Sequence, residues 1–246
     1  MSAYGTDRDS AKHGRLLARP EPRPEPLPEP LPEPLPEPLP ERPALPPGLH
    51  GLGLGRRRDG FLRVPEAAGE RPLPLVVMLH GAGGQAAGAL RLIEQAAPGV
   101  LLLLPESRAA TWDVIMGGFG PDVAFLDAAL REVFQRHRVD ARRVALAGFS
   151  DGASYALSLG LGNGDLFTHV LAFSPGFAAP PPALGRPGIF ISHGVKDDVL
   201  PIGACSRRIV PRLRQAGYAV EYREFAGGHD LPEDLATEAV RWMAGG

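Results

Sequence analysis

"VALAGFSDGASYAL", residues 144–157, sets one serine between two glycines where an apolar run gives way to small residues. Val144–Phe149 reads as a buried strand. From Ala153 onward, Ala153, Ala156, Leu157 and Gly160 share one helical face. Ser150 therefore stands at a strand-to-helix turn inside Gly148-Phe149-Ser150-Asp151-Gly152. A turn that sharp needs glycines two before and two after, because side chains there would collide with neighbouring backbone. It lifts the hydroxyl above the sheet, and the helix N-terminus behind it favours developing negative charge. An ordinary helix N-cap serine is the plainer reading of the residue type, but it explains neither glycine.

The sequence around this turn predicts an α/β domain. "DGFLRV", "LPLVVML", "GVLLLLP", "RVALAGF", "THVLAFS", "GIFISHG" and "AVEYREF" read as strands. Between them "AAGALRLIEQAA", "PDVAFLDAALREVF", "ACSRRIVPRLRQAG" and "EDLATEAVRWMA" read as helices, the third with a kink at Pro211. Runs such as "VVML" and "VLLLL" lack polar alternation, as strands covered on both faces do. Alternating strand and helix implies a mostly parallel central sheet with helices on both faces, over residues 48–246. The glycine-rich "GLHGLGLG" from residue 48 follows no strand and lacks a Lys-Ser/Thr ending, so it reads as a turn and not a phosphate loop.

Residues 1–47 read differently. Half of the chain's 28 prolines lie in residues 20–47, mostly in the repeat "PEPLPEPLPEPLPEPLPE". Such a run is expected as extended polyproline II, roughly 85 Å long at about 3.1 Å per residue. Leu27, Leu31, Leu35 and Leu39 recur every four residues on a helix of three per turn, so no apolar stripe forms. Residues 1–47 are expected to be a disordered N-terminal region outside the fold, to name no partner, and to be dispensable for turnover.

Composition excludes several classes. The formal net charge of −2 over 246 residues gives no reason to expect nucleic acid or an anionic membrane as partner. The single cysteine, Cys205, rules out an intrachain disulfide and reads as a small buried hydrophobe. With no apolar run of signal-peptide or spanning length, a cytoplasmic protein without membrane insertion is expected. No His or carboxylate cluster has metal-ligand spacing, so neither metal nor organic cofactor is expected.

A serine hydroxyl becomes a useful nucleophile only with a base to take its proton and a third group to orient that base. His229, in "FAGGHDLPED" after the last strand, is the candidate base, with Gly227 and Gly228 marking its loop. For the acid, "ISHGVKDDVLP" offers Asp197 and Asp198, with His193 shaping the loop. The alternative order His80, Asp127, Ser150 would put its acid in mid-helix. "VVMLHGAGG" ends a buried strand in small residues, so the amides of Ala82 and Asp151 are candidate oxyanion donors. Trp112 and Phe119, after the "VLLLLP" strand, are candidates for lining a substrate pocket or for packing beneath that loop.

Together "LHGAGG", "DVAFLDAAL" leading into "RVALAGFSDGAS", "HGVKDDVLP" and "GGHD" resemble the α/β-hydrolase superfamily over about residues 50–246. Within it, the chain is similar to the phospholipase/carboxylesterase group and to polyhydroxybutyrate-depolymerase-like esterases. The resemblance implies an α/β-hydrolase fold and takes the acid as the fifth residue of the "HGxxDxxVP" loop, Asp197. It implies a serine ester hydrolase acting through an acyl-enzyme on a small-molecule ester. No long insertion separates "AFSPGF" from "GIFISHG", so no large lid and an open site for short or medium acyl esters are expected. Lysophospholipase or thioesterase chemistry would use the same residues, and a non-catalytic binding module is a remoter alternative. Asp151, an acid beside a site of developing negative charge, should point away.

Overall fold

A computed structural model of the chain describes residues 9–20, 42–55, 57–66 and 71–245. Its elements are β1 (Gly48–Gly51), β2 (Gly60–Val64), β3 (Leu73–Leu79), α1 (Ala86–Ile93), β4 (Leu101–Pro105), a 3₁₀ turn (Asp113–Met116) and α2 (Pro121–Arg136). There follow β5 (Val139–Phe149), α3 (Asp151–Gly162), β6 (His169–Phe173), β7 (Gly188–Gly194), α4 (Ser206–Gln215), β8 (Val220–Phe225) and α5 (Glu233–Ala244). Among the described residues eight strands make one sheet in the order β1-β2-β4-β3-β5-β6-β7-β8. β1, β2 and β4 pair antiparallel, and every pairing from β4 through β8 is parallel.

The unbroken apolar strands are explained by two cores. Leu75, Val77 and Leu79 of β3 face one side with Leu101, Leu103, Val144 and Leu146, against the apolar faces of α2, α3 and α4. Val76 and Met78 face the other with Leu102, Leu104, Ala145 and Ala147, against α1 and α5. The period-2 alternation exists in space but joins two apolar environments, so it leaves no polar mark in the sequence. On α2, Val123, Leu126, Leu130, Val133 and Phe134 are all buried, as their spacing predicts. Helix α4 runs on through Pro211. No helix of the described residues is long and apolar enough to cross a membrane.

Two expectations need correction. The "GLHG" of residues 48–51 is not a turn but an edge strand, pairing Gly48 with Val64 through Gly51 with Phe61. Glycine has little strand preference, so this strand is specified by its partner and not by its own residues. The glycines after it do wrap an anion, an internal one: the amides of Gly53, Leu54 and Gly55 donate to the Asp59 carboxylate at 2.7, 3.0 and 2.9 Å.

The second correction concerns residues 1–47. Residues 9–20 lie on the folded body, with Ala11, Leu16 and Ala18 buried in the core that α2 and α3 share. Arg42 then returns to α2, its amide donating to the Gln135 carbonyl at 2.8 Å and its guanidinium to Glu132 at 2.9 Å; Leu45 packs on the same core. Burial of leucine and alanine side chains is what an excluded tail would lack. The body of the proline repeat, residues 21–41, lies outside the described residues.

Candidate active site

Ser150 joins β5 to α3 with φ 58° and ψ −120°, a left-handed conformation rare for a residue with a side chain. Its amide donates to the Phe173 carbonyl of β6 at 2.9 Å, while its own carbonyl accepts the Ala153 and Ser154 amides at 3.0 and 3.1 Å. Both flanking glycines are required by backbone contact. A Cβ on Gly148 would stand 2.2 Å from the Gly152 carbonyl oxygen, and one on Gly152 would stand 2.4 Å from that of Leu79. Gly152 thus presses α3 onto the end of β3, and the loop leaving that strand comes to the serine: a Cβ on Gly81 would lie 3.3 Å from Ser150 Cβ.

The loops after β7 and β8 bring the other two groups. A Cβ on Gly194 would meet the Gly228 and Gly227 carbonyl oxygens at 2.1 and 2.5 Å, so the two loops run in backbone contact. The amides of Val195 and Lys196 donate across to the Phe225 and Gly227 carbonyls, each at 2.9 Å. His229 Nδ1 then lies 2.7 Å from Asp197 Oδ2, and its Nε2 lies 2.8 Å from Ser150 Oγ. Only acceptors face Nδ1, so that nitrogen carries the proton and Nε2 is left to accept from the hydroxyl. The Phe149 ring packs on the imidazole at a centroid distance of 4.8 Å.

Asp197 is buried, and Asp198 is exposed. Oδ1 of Asp197 accepts the Val199 and Leu200 amides at 3.0 and 2.7 Å. Burial alone would raise its pKa. The His229 hydrogen bond outweighs this together with the Leu200 amide and the neighbouring imidazole charges, holding the carboxyl below its ordinary value. His193 takes the place expected of it: Nε2 faces the Leu200 carbonyl at 2.7 Å and Asp197 Oδ2 at 3.2 Å, and Nδ1 meets Ser206 Oγ at 2.7 Å. Two acceptors at Nε2 place the proton there. Burial pushes its pKa down.

The loop after β3 is held by His80, which is no base for Ser150. Its Nε2 accepts the Ser107 amide at 3.0 Å and its Nδ1 lies 2.7 Å from the Gly81 carbonyl, so the ring is neutral with the proton on Nδ1. Burial lowers its pKa accordingly. Asp127, the acid of the alternative order, accepts the Leu17 and Ala18 amides instead. Ala82 is exposed on this loop. Asp151 is tied by its carboxylate to the Thr111 hydroxyl at 2.6 Å, a contact between residues 40 apart with no sequence signal.

Trp112 does not line the site, and Phe119 packs on the same core. Trp112 is 0% exposed, stacked on Tyr155 at 5.2 Å, and donates its indole N–H to the His80 carbonyl at 2.8 Å. Phe119 is half-buried on the same core, 6.0 Å from the Tyr155 ring and against Gly14. Both belong to the packing beneath the loop, because the N-terminal segment and Tyr155 occupy the space next to them. Cys205 is buried as expected.

The fold and this arrangement define an enzyme of the α/β-hydrolase class. Among solved structures, esterase PE8 superposes with a TM-score of 0.62 at 22% identity, covering 77% of this chain and 99% of that one. A Bacillus cereus carboxylesterase gives 0.60 at 19%, covering 78% and 95%. The Staphylococcus aureus fluorophosphonate-binding serine hydrolase FphF gives 0.63 at 14%, covering 80% and 98%. A comparison with curated protein sequences finds no match. The Esterase family profile matches residues 52–197, and the chain belongs to that family, an ester hydrolase.

Proposed function

We propose that the protein hydrolyses short or medium acyl carboxylic esters through a serine acyl-enzyme. The observation that carries this is the unbroken chain from Ser150 Oγ through His229 to Asp197, at 2.8 and 2.7 Å. Ser150 Oγ attacks the ester carbonyl carbon as its proton passes to His229 Nε2. The amides of Ala82 and Asp151 receive the negative charge that forms on the carbonyl oxygen. His229 returns the proton to the leaving alcohol, and the acyl group remains on Ser150. A water, deprotonated by His229, then releases the acid. Asp197 keeps the imidazole in the tautomer this cycle needs and stabilises the imidazolium. FphF, a neighbour by fold, is described as a fluorophosphonate-binding serine hydrolase, in keeping with this chemistry.

Acyl length follows from what covers the site. Only residues 174–187 connect β6 to β7, too few for a lid domain. A site without a lid domain over it gains little from long chains. A panel of p-nitrophenyl esters from two to sixteen carbons, with matched thioesters, tests the reading. The highest kcat/KM is expected at two to eight carbons, on oxygen esters. A maximum at long chains, or on thioesters, would replace it with a lysophospholipase or thioesterase assignment.

A further inference from the structure

Residues 9–20 cross α2 and α3 as a nearly self-contained segment. Its backbone hydrogen bonds close on itself, as with His13 to Ser10 and Gly14 to Ala11. Its bonds to the body run through side chains. Asn163 receives the Leu16 amide at 2.9 Å and donates to the Gly14 carbonyl at 2.8 Å. Asp127 Oδ1 receives the amides of Leu17 and Ala18 at 2.6 and 2.7 Å. Asp165 receives the guanidiniums of both Arg15 and Arg19 at 2.5 Å.

The side chains of the segment are read alternately. Leu16 is 0% exposed and Ala18 3%, while Leu17 between them is 40% exposed. That in–out period is the signature of an extended peptide lying on a surface. At the seam a space of about 130 Å³ remains, lined by Ala11, Arg15 and Leu17 on one side and Val123, Ala124 and Asp127 on the other.

We propose that the α2–α3 surface bearing Asp127, Asn163 and Asp165 is a peptide-recognition site reading Arg-Leu-Leu-Ala-Arg, filled in cis by residues 15–19. The site takes an apolar side chain at position 16, a small one at 18 and a guanidinium at each end, and caps the intervening amides. The connection favours the chain's own segment over that of a second copy. Arg42 rejoins α2 at Gln135, eight residues or about 12 Å along the axis from Asp127. The 23 residues between Ala18 and Arg42 have more contour length than that span requires, so the chain's own segment can reach the site. The inference stands apart from the chemistry at Ser150.

The test keeps the full chain. A protease recognition sequence substituted within residues 24–38 allows the purified protein to be nicked, and gel filtration with mass spectrometry then asks where the N-terminal fragment goes. The fragment is expected to stay with the body, to be displaced by excess synthetic peptide of residues 9–20, and to stay again when the chain carries Leu17→Asp. Leu16→Asp should release it on nicking and lower Tm by several degrees, and a peptide carrying Leu16→Asp should fail to compete. Free separation of the wild-type fragment with Tm unchanged would overturn the proposal. So would equal behaviour of the two aspartate variants. Elution of the intact chain at the mass of two copies, with segments exchanged between them, would overturn the cis occupant.

Discussion

At Ser150 a left-handed backbone is imposed on a residue with a side chain, a conformation costing on the order of 1–3 kcal/mol that is maintained by contacts on all sides. Those contacts are made by backbone atoms, so Ser150→Ala should fold normally while kcat falls by roughly three or more powers of ten. His229→Ala should be about as damaging, and the double variant little worse. The acid position discriminates further. Asp197 is buried under two amides and His229, and Asp198 is exposed, so Asp197→Asn should cost far more activity than Asp198→Asn. Kinetics on the two asparagine variants reads this directly, and the reverse ranking would move the role. A separate pH effect belongs to Asp122, buried beside Asp113 beneath the loop that carries Trp112. Burial, with help from Asp113, raises its pKa to about 6 against the Arg108 and Asp113 amides. A carboxyl raised in the folded state favours folding while protonated, and that contribution fades as pH climbs from about 4 through 6. Wild-type stability relative to Asp122→Asn should therefore fall across that window, by up to about 3 kcal/mol. Denaturant melts of both proteins at pH 4.5 and 7.5 check it; a gap that widens with pH would have the wrong sign.

The elements that bring these residues together were legible in unequal degree. The glycines around Ser150 are a local signal, because a side chain at Gly148 or Gly152 would meet backbone, and those before His229 mark its loop. Gly194 is a third such position whose meaning is not local: its partner is the carbonyl of Gly228, across two loops. Gly194→Ala should pry the loops of Asp197 and His229 apart, lowering kcat more than Tm, as paired assays and melts will show. Burial decided what spacing could not. Asp197 and Asp198 are adjacent and chemically identical, and the resemblance alone separated them. Trp112 follows a strand as a pocket residue would, yet Tyr155, more than 40 positions on, closes over it. Strand β1 left no trace because its glycines take their conformation from β2.

Across the whole molecule, the mostly parallel sheet with helices on both faces followed from apolar runs separated by amphipathic helices, a pattern written over many residues. The N-terminal segment was invisible for the opposite reason. "RLLAR" is too short for any periodicity, lies next to a proline repeat, and is read by side chains about 110 to 150 positions away. Removing residues 1–20 should consequently lower Tm, where an excluded tail would leave it unchanged, and thermal melts of the two proteins decide between them. The truncated chain loses the burial of Leu16, whose replacement by alanine alone should cost about 2–5 kcal/mol.

The central claim concerns one oxygen atom. Ser150 Oγ, 2.8 Å from His229 Nε2, is the proposed nucleophile, with the amides of Ala82 and Asp151 as its proposed oxyanion donors. A fluorophosphonate probe on the purified protein, followed by proteolysis and mass spectrometry, tests this most directly. The account predicts one probe per chain, located on Ser150, with labelling and esterase turnover lost together at matched rates and both absent in Ser150→Ala. Stoichiometric labelling of another serine, such as Ser154 or Ser174, or full turnover by Ser150→Ala, would contradict it.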